Sequence, residues 1–484
     1  MSVLTEFDLL KYRRTKIVAT LGPASSGAPA IRALIEAGVD VFRVNMSHGS
    51  QDGHAAVIAT IRSEARALGR HTAILADLCG PKIRMGRFAG GRVELLAGAE
   101  VLVTTRDVPG DATIIPSQYA DLAADVRAGD RILLNDGAVE LRVETVDGTD
   151  VRCRVIAGGP IGDHKGINLP GVAVSAPSLT DKDLRDAEFA LAQEVDFIAL
   201  SFVRTAEDVR TLRRLVDAST RRPGIVAKIE KPEALRNSAA IVDAADAIMV
   251  ARGDLGVELN PEQVPIAQSQ LIALARRYDK PVIVATQMLE SMIQNARPTR
   301  AEVTDVSHAV ASGADAVMLS GETAVGEHAV EAVAMMARIA RQTESYEFHA
   351  HAAPAFMVRT AAERRDDFGD AIADAVAKLV AEVQVRGVIV ISMQGVTAGT
   401  ISAARPAAPI VAVSPVPETC RRMGLLWGVL PQLDAAAGTE NPNVIARRVA
   451  AELGLGKSGD FVVLVRGFHA HPALNTPTIT LLRI

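Results

Sequence analysis

Residues 224–258 read GIVAKIEKPEALRNSAAIVDAADAIMVARGDLGVE. An apolar run over 224–227 ends abruptly in Lys228 and Glu230. A helical segment follows, and a second apolar run over 247–250 ends as abruptly in Arg252 and Asp254. Buried parallel strands are written as continuous apolar runs, and parallel α/β proteins gather their chemistry at the carboxyl ends of those strands. Two neighbouring strands here deliver opposite charges to one such end. Glu230 and Asp254 suit a hard divalent cation, and Lys228 an anionic substrate held on it. A single cluster of this kind ordinarily marks solvated loop charges or surface ion pairs. The pattern, however, recurs along the chain.

Working outward, similar runs stand at 15–20 (TKIVAT), 39–45 (VDVFRVN), 71–77 (HTAILAD) and 195–201 (VDFIALS). With 224–230 and 246–252, two more follow at 281–286 (PVIVAT) and 315–320 (DAVMLS). Amphipathic helical patterns separate most of them. Thr205 with Asp208 and Thr299 with Glu302 form capping boxes, and Asn260-Pro261 opens a further helix. Strand and helix alternating in this way predict a (β/α)8 TIM barrel. An open doubly wound sheet is the alternative, but no G-x-G-x-x-G turn follows the first strand.

About a hundred residues separate Asp77 from the helix opening near Thr180, where a connection of a few residues is usual. That insert carries short alternating strands with Asp-Gly and Gly-Gly turns, which predict a small β-barrel lid domain. It leaves and rejoins the barrel through Gly80-Pro81 and Leu169-Pro170-Gly171, a hinge for a lid that excludes water. The expected domains are barrel over 1–80, lid over 81–176, barrel again over 177–345, and a C-terminal α/β domain over 346–484. In the last, the pattern predicts a mostly parallel sheet, with helices at 370–382, around 420–427 and around 442–453. Residues 349–369 have the composition of a linker.

Composition narrows the partners. Of 484 residues, 49% are apolar and 23% charged, with a net charge of −5 and scarce aromatics. Neither nucleic acid nor an anionic membrane is indicated. MSVLTEFDLLKYRR lacks a signal-peptide core and no later run is long enough to span a bilayer. Three cysteines, Cys79, Cys153 and Cys420, follow no metal-ligand spacing. A reducing, cytoplasmic setting is therefore expected.

Bringing equivalent strand ends to one face assembles Arg43, Lys82, Arg84, Lys228 and Arg252 against Asp77, Glu230 and Asp254. Thr20, Asn45, Ser47, His48, Ser201, Arg204, Thr286, Gln287, Ser320 and Glu322 stand among them. A cation-rich pocket with a carboxylate pair suits a phosphorylated substrate bound with Mg2+ or Mn2+. Phosphoryl transfer rests largely on positioning and charge neutralisation, which these residue types supply.

Six strings then point to a family: RVNMSHG (43–49), KIE (228–230), MVARGDLGVE (249–258), ATQMLESM (285–292), ARPTRAE (296–302) and MLSGET (318–323). In order and spacing the chain resembles the pyruvate kinases. The resemblance implies phosphoryl transfer from phosphoenolpyruvate to ADP, giving pyruvate and ATP, with magnesium and in a homotetramer. It further implies that Arg43 contacts the transferring group and Lys228 neutralises its developing charge. Glu230 and Asp254 would ligate magnesium, and the turn Ala251, Arg252, Gly253, Asp254 would receive the substrate carboxylate. Thr286 would help a water protonate the enolate carbon, while Arg84, Asn45 and His48 face the nucleotide.

Asn45, Ser47, Asp77 and the Leu78 carbonyl correspond to the family's potassium site. The third strand departs from the common pattern there: Lys82 stands where many members have a glutamate. A tethered ammonium can replace a monovalent cation's charge, so potassium is expected not to be required. Ser392 and Thr397, in ISMQGVTAGTISAARP (391–406), resemble an effector-phosphate loop. The terminal GFHAHPALNTPT (467–478) departs from the family's glycine-rich loop, leaving a sugar phosphate, a nucleotide or no effector open. A magnesium-dependent lyase or aldolase on a similar barrel, and a non-catalytic metabolite sensor, are the alternatives to a kinase.

Overall fold

In a computed structural model, which describes residues 10–350, 368–383, 385–469 and 476–484, eight parallel strands close into a barrel. They are Lys16–Thr20, Val41–Asn45, Ala73–Asp77, Phe197–Leu200, Gly224–Ile229, Ala247–Ala251, Val282–Ala285 and Ala316–Leu319. Each lies within its expected apolar run. The runs are continuous because both faces of every strand are buried. Val18, Val41, Leu75, Ala199, Val226, Met249, Ile283 and Met318 fill the interior. Their sequence neighbours, such as Ile17, Ile74, Ile198, Ile225 and Ile248, pack outward beneath the helices. Side chains alternate with a period of two, so a residue's parity along its strand decides which side of the wall it joins.

Capping fixes where the helices begin. Thr299 and Glu302 cap Arg300–Ala311 reciprocally, and Asp208 accepts the Thr205 N–H at 2.9 Å ahead of Ala206–Asp217. Asn260 opens only a short 3-10 turn, Pro261–Gln263, which runs into the helix Val264–Arg277. Thr180 and Asp183 form a further box, ahead of Asp181–Ala192.

The insert folds around its own core, with Val103, Ile115, Ile132, Leu141 and Val151 fully buried. Its main sheet has six strands and a separate pair completes the unit. Most pairings are antiparallel, the hairpin Val139–Asp147 with Asp150–Ala157 being the longest. One pair is parallel: Glu100–Thr104 with Ile114–Pro116.

The C-terminal unit carries five strands, parallel except for the terminal pair Phe461–Arg466 and Thr478–Arg483. Val429–Leu433 is an additional strand absent from the sequence expectation. Pro431 lies within it, and proline is tolerated because this strand forms the sheet edge. The helix expected around 420–427 is Pro417–Met423. This unit closes the barrel's lower end: Leu425 joins the barrel-interior cluster, and Arg405, fully buried, pairs with Asp315 at 2.7 Å. The expected linker falls largely outside the described residues, as does much of the 467–478 loop. Among the described residues, no helix is long and apolar enough to cross a membrane.

Candidate active site

Following the inward parity upward, the apolar interior gives way to polar residues at the carboxyl ends. The rows Val18–Thr20, Val41–Arg43, Leu75–Asp77, Ala199–Ser201 and Val226–Lys228 each end on a polar side chain. Thr20, Arg43, Asp77, Ser201 and Lys228 thereby meet above the packed interior, with Glu230 two residues beyond Lys228 on the same row. Register keeps them adjacent: Thr20 pairs with Arg43, and Asn45 with Asp77.

Asp77 lies between two cations. Its Oδ2 accepts from Arg43 Nε at 2.6 Å, and its Oδ1 faces Lys228 Nζ at 3.3 Å. Arg43 also donates to Thr20 Oγ1 at 3.1 Å. Lys228 reaches Ser201 Oγ at 2.7 Å and Glu230 Oε1 at 3.0 Å. Burial works against charge on Lys228, but the Asp77 and Glu230 carboxylates outweigh it and hold the ammonium's pKa above the ordinary lysine value. Burial likewise pushes the Asp77 carboxyl up, and Lys228 with Arg43 overcomes it, leaving Asp77 more acidic than usual.

Glu230 goes the other way. Burial raises its pKa first, Asp254 adds to the rise, and Lys228 opposes both. Its Oε2 accepts the Phe202 N–H at 2.7 Å. Oε1, although buried and close to Lys228, takes no hydrogen bond of good geometry. A buried carboxylate oxygen of this kind, destabilised by a second carboxylate, is the donor a hard cation would satisfy. Two protein carboxylates leave further positions to water and substrate oxygens, the usual arrangement for magnesium. The residues fit that ion.

The turn after the sixth strand is held by Thr286. Its Oγ1 accepts the Gly253 N–H at 2.7 Å and donates to Ala285 O at 2.6 Å. Thr286 adopts φ 70° and Gln287 φ 54°. A β-branched residue in the left-handed region is strained, and such strain concentrates at functional sites.

Arg252 is the main correction to the expected cationic pocket. It falls on the outward parity of its strand, with Ile248 and Val250, and its guanidinium leaves the mouth. It pairs with Asp305 at 2.7 Å and donates to Thr286 O at 2.7 Å. Arg252 therefore braces the seventh-strand loop, and only its backbone belongs to the turn. Glu322 is also structural, accepting the Leu289 and Ser320 N–H groups.

The remaining candidates sit around the rim. Asn45 Oδ1 accepts the Ser47 N–H at 3.1 Å. The exposed His48 receives the His54 ring at its carbonyl, and the Leu78 carbonyl accepts from Ser201 Oγ. Arg84 donates to His164 O within the lid. Lys82, exposed, lines a cleft between lid and barrel with Asp254, Lys231, Phe202 and Arg204. No ion pair of Lys82 with an acidic residue is found among the described residues. Lid and barrel also meet where Asn168 donates to Glu258 Oε1, which Lys231 engages at 2.5 Å. In the C-terminal unit, Ser392 accepts the Gly395 N–H, and both Ser392 and Thr397 are buried.

Of two further contributors, Ser201 was expected at the mouth without an assigned role and Phe202 was not expected there. Ser201 contacts Lys228, and the Phe202 N–H contacts Glu230. Parity along the fourth strand is the signal that places Ser201. No sequence signal marks Phe202, whose left-handed φ of 53° presents its N–H.

Known proteins resemble this chain in sequence and fold. Residues 12–333 match the family profile described as pyruvate kinase, barrel domain, and residues 370–481 that of the pyruvate kinase alpha/beta domain. The chain is 44% identical over 462 residues to a pyruvate kinase of Mycobacterium tuberculosis (strain ATCC 25618 / H37Rv), covering 94% of this chain and 95% of that one. It is 45% identical over 458 residues to a pyruvate kinase of Agrobacterium vitis, with the same two coverages. A crystal structure of a pyruvate kinase from Cryptosporidium parvum superposes with a TM-score of 0.90 at 36% identity, over 97% of this chain and 96% of that one.

Proposed function

Because this chain belongs to the pyruvate kinase family, and transfers the phosphoryl group of phosphoenolpyruvate to ADP, we propose the following roles at the barrel mouth. Lys228 and Arg43 receive the phosphoryl group, with Lys228 neutralising the charge that develops during transfer. Asp77 orients both cations through its two oxygens. Preorganised charge of this kind needs no rearrangement at the moment of reaction, which is why it lowers the barrier.

Glu230 and Asp254 would hold the magnesium on which the family depends. Bound there, it would draw negative charge from the substrate's carboxylate, enolate and phosphoryl oxygens. The Ala251–Asp254 backbone, fixed by Thr286, receives the carboxylate. Thr286 Oγ1 steers the water that protonates the enolate carbon. Arg84, Asn45 and His48 take the nucleotide side, and the lid excludes water from the cleft. The working form is taken to be a cytoplasmic homotetramer, on family resemblance alone.

The observation that carries this reading is the convergence of Lys228 with Asp77 and Glu230 in one buried layer. Lys228→Met should lower turnover by orders of magnitude in a coupled assay of pyruvate formation, while phosphoenolpyruvate still binds. Near-normal turnover in that variant would sink the assignment. Lys82 supports a second part of the proposal, that no potassium is needed, since it contributes to the lining of the cleft that Asp254 also lines. Full activity in a Tris buffer without potassium is expected; a large recovery on adding potassium would refute it.

A further inference from the structure

The ammonium of Lys228 has three N–H donors and meets three acceptors: Ser201 Oγ at 2.7 Å, Glu230 Oε1 at 3.0 Å and Asp77 Oδ1 at 3.3 Å. As found, no N–H is left for a phosphoryl oxygen. One contact must yield when substrate arrives, and the three are not equivalent. Ser201 has a single hydroxyl proton, and the short contact to Leu78 O at 2.7 Å takes it, against 3.4 Å to Asp77 Oδ1. Only lone pairs then face Lys228, so Ser201 is fixed as an acceptor. Glu230 Oε1 at 3.0 Å and Asp77 Oδ1 at 3.3 Å both meet the ammonium as ion pairs, whereas the Ser201 contact at 2.7 Å has hydrogen-bond geometry. The Ser201 contact therefore fixes the ammonium's direction, and the two ion-pair contacts are the freer to yield.

We infer that Ser201 is a positioning residue for Lys228: its hydroxyl fixes one N–H of the ammonium, so that another can turn from its carboxylate partner to the transferring phosphoryl group. This rests on the reading of Lys228 given above. The corner that carries Ser201 is built to stay still. Ser201 is only 2% exposed. Phe202 follows in the left-handed region, φ 53°, and spends its N–H on Glu230 Oε2. Gly80 presses on the corner from the lid side; a Cβ there would lie 2.8 Å from the Phe202 ring and 2.9 Å from Ser201 Cβ. One dipeptide thus anchors both functional side chains of the adjoining strand, the lysine by a hydroxyl and the glutamate by an amide.

Charge on the phosphoryl and enolate oxygens grows towards the transition state. Misplacing the ammonium should therefore weaken turnover more than substrate binding. A hydrogen bond to a charged group is typically worth enough to change a rate about 10- to 100-fold. Ser201→Ala and Ser201→Thr are to be compared with wild type and Lys228→Met for kcat, for KM of phosphoenolpyruvate and for thermal midpoint. Ser201→Ala should lose about 10- to 100-fold in kcat, with KM changed less than about threefold and the midpoint nearly kept. Ser201→Thr, which retains the hydroxyl, should recover most of the loss. Wild-type kcat in Ser201→Ala, a loss confined to KM, or an equal loss in both variants at an unchanged midpoint overturns the inference. An active Lys228→Met would instead show that the Lys228 assignment itself is at fault.

Discussion

Asp77→Asn keeps the shape of a side chain that is 1% exposed and changes only its charge and hydrogen-bonding sense. Arg43 Nε and Lys228 Nζ, its neighbours at 2.6 and 3.3 Å, are donors with no acceptor capacity. An aspartate offers each of them an oxygen. An asparagine has one acceptor oxygen and an amide NH2, so one cation must face a donor whichever way the group is turned. A hydrogen bond to a charged group contributes about 1.5–3 kcal/mol. The Coulomb attraction of a unit pair at 3.3 Å is about 5 kcal/mol at an effective dielectric of 20. Part of that is offset by desolvation of the ammonium, so a loss of about 3–4 kcal/mol in transition-state stabilisation is expected. At about 1.36 kcal/mol per tenfold, kcat/KM for phosphoenolpyruvate should fall by about two to three orders of magnitude. The coupled assay measures this directly, with circular dichroism showing that the variant is folded. A folded Asp77→Asn enzyme within about fivefold of wild type would refute the bridging role. If Asp77 served chiefly as a ligand for a monovalent cation, raising potassium would relieve the defect; the bridging geometry predicts that it will not.

The same carboxylate predicts a pH dependence. Its folded-state pKa is depressed below the ordinary 3.8, so its contribution to stability is complete above that value and is lost as pH falls through the depressed one. The stability gap between wild type and Asp77→Asn should be flat at neutral pH and close in acid, as denaturant titrations at several pH values would show; a gap that widened in acid would contradict the sign. Arg405→Met should destabilise the chain by about 3–5 kcal/mol, because it strands the buried Asp315 carboxylate at the junction of barrel and C-terminal unit. Pairing it with Asp315→Asn should recover part of that loss in urea unfolding, and strict additivity would argue against the clamp. Gly80→Ala meets both a φ of 67° and the Ser201–Phe202 corner, so a loss of about 2–4 kcal/mol is expected in the same measurement, with reduced turnover.

The barrel was legible in the sequence because parallel strands buried on both faces leave unbroken apolar runs, each ending in polar residues at the catalytic edge. Lys228, Glu230, Asp77 and Arg43 could be gathered from those endings alone, since closure of the barrel brings equivalent ends together whatever the loops do. The edge strand Val429–Leu433 escaped because Pro431 interrupts the strand pattern, and only its place at the sheet margin makes the proline harmless. Arg252 shows the limit from the other side. It stands among the right residues in the sequence, yet lies on the outer parity of its strand and braces a loop. Ser201 stood at the mouth on sequence grounds, but its role, and the presence of Phe202, became visible only when the fourth strand was set beside the fifth, because a hydroxyl and an amide acquire a role from the charges placed opposite them. Which residues carry charge, and at which strand ends, is written locally. Which of those charges face one another depends on strand register, the side of the wall each side chain takes, and a few left-handed backbone turns, all of which require the closed structure.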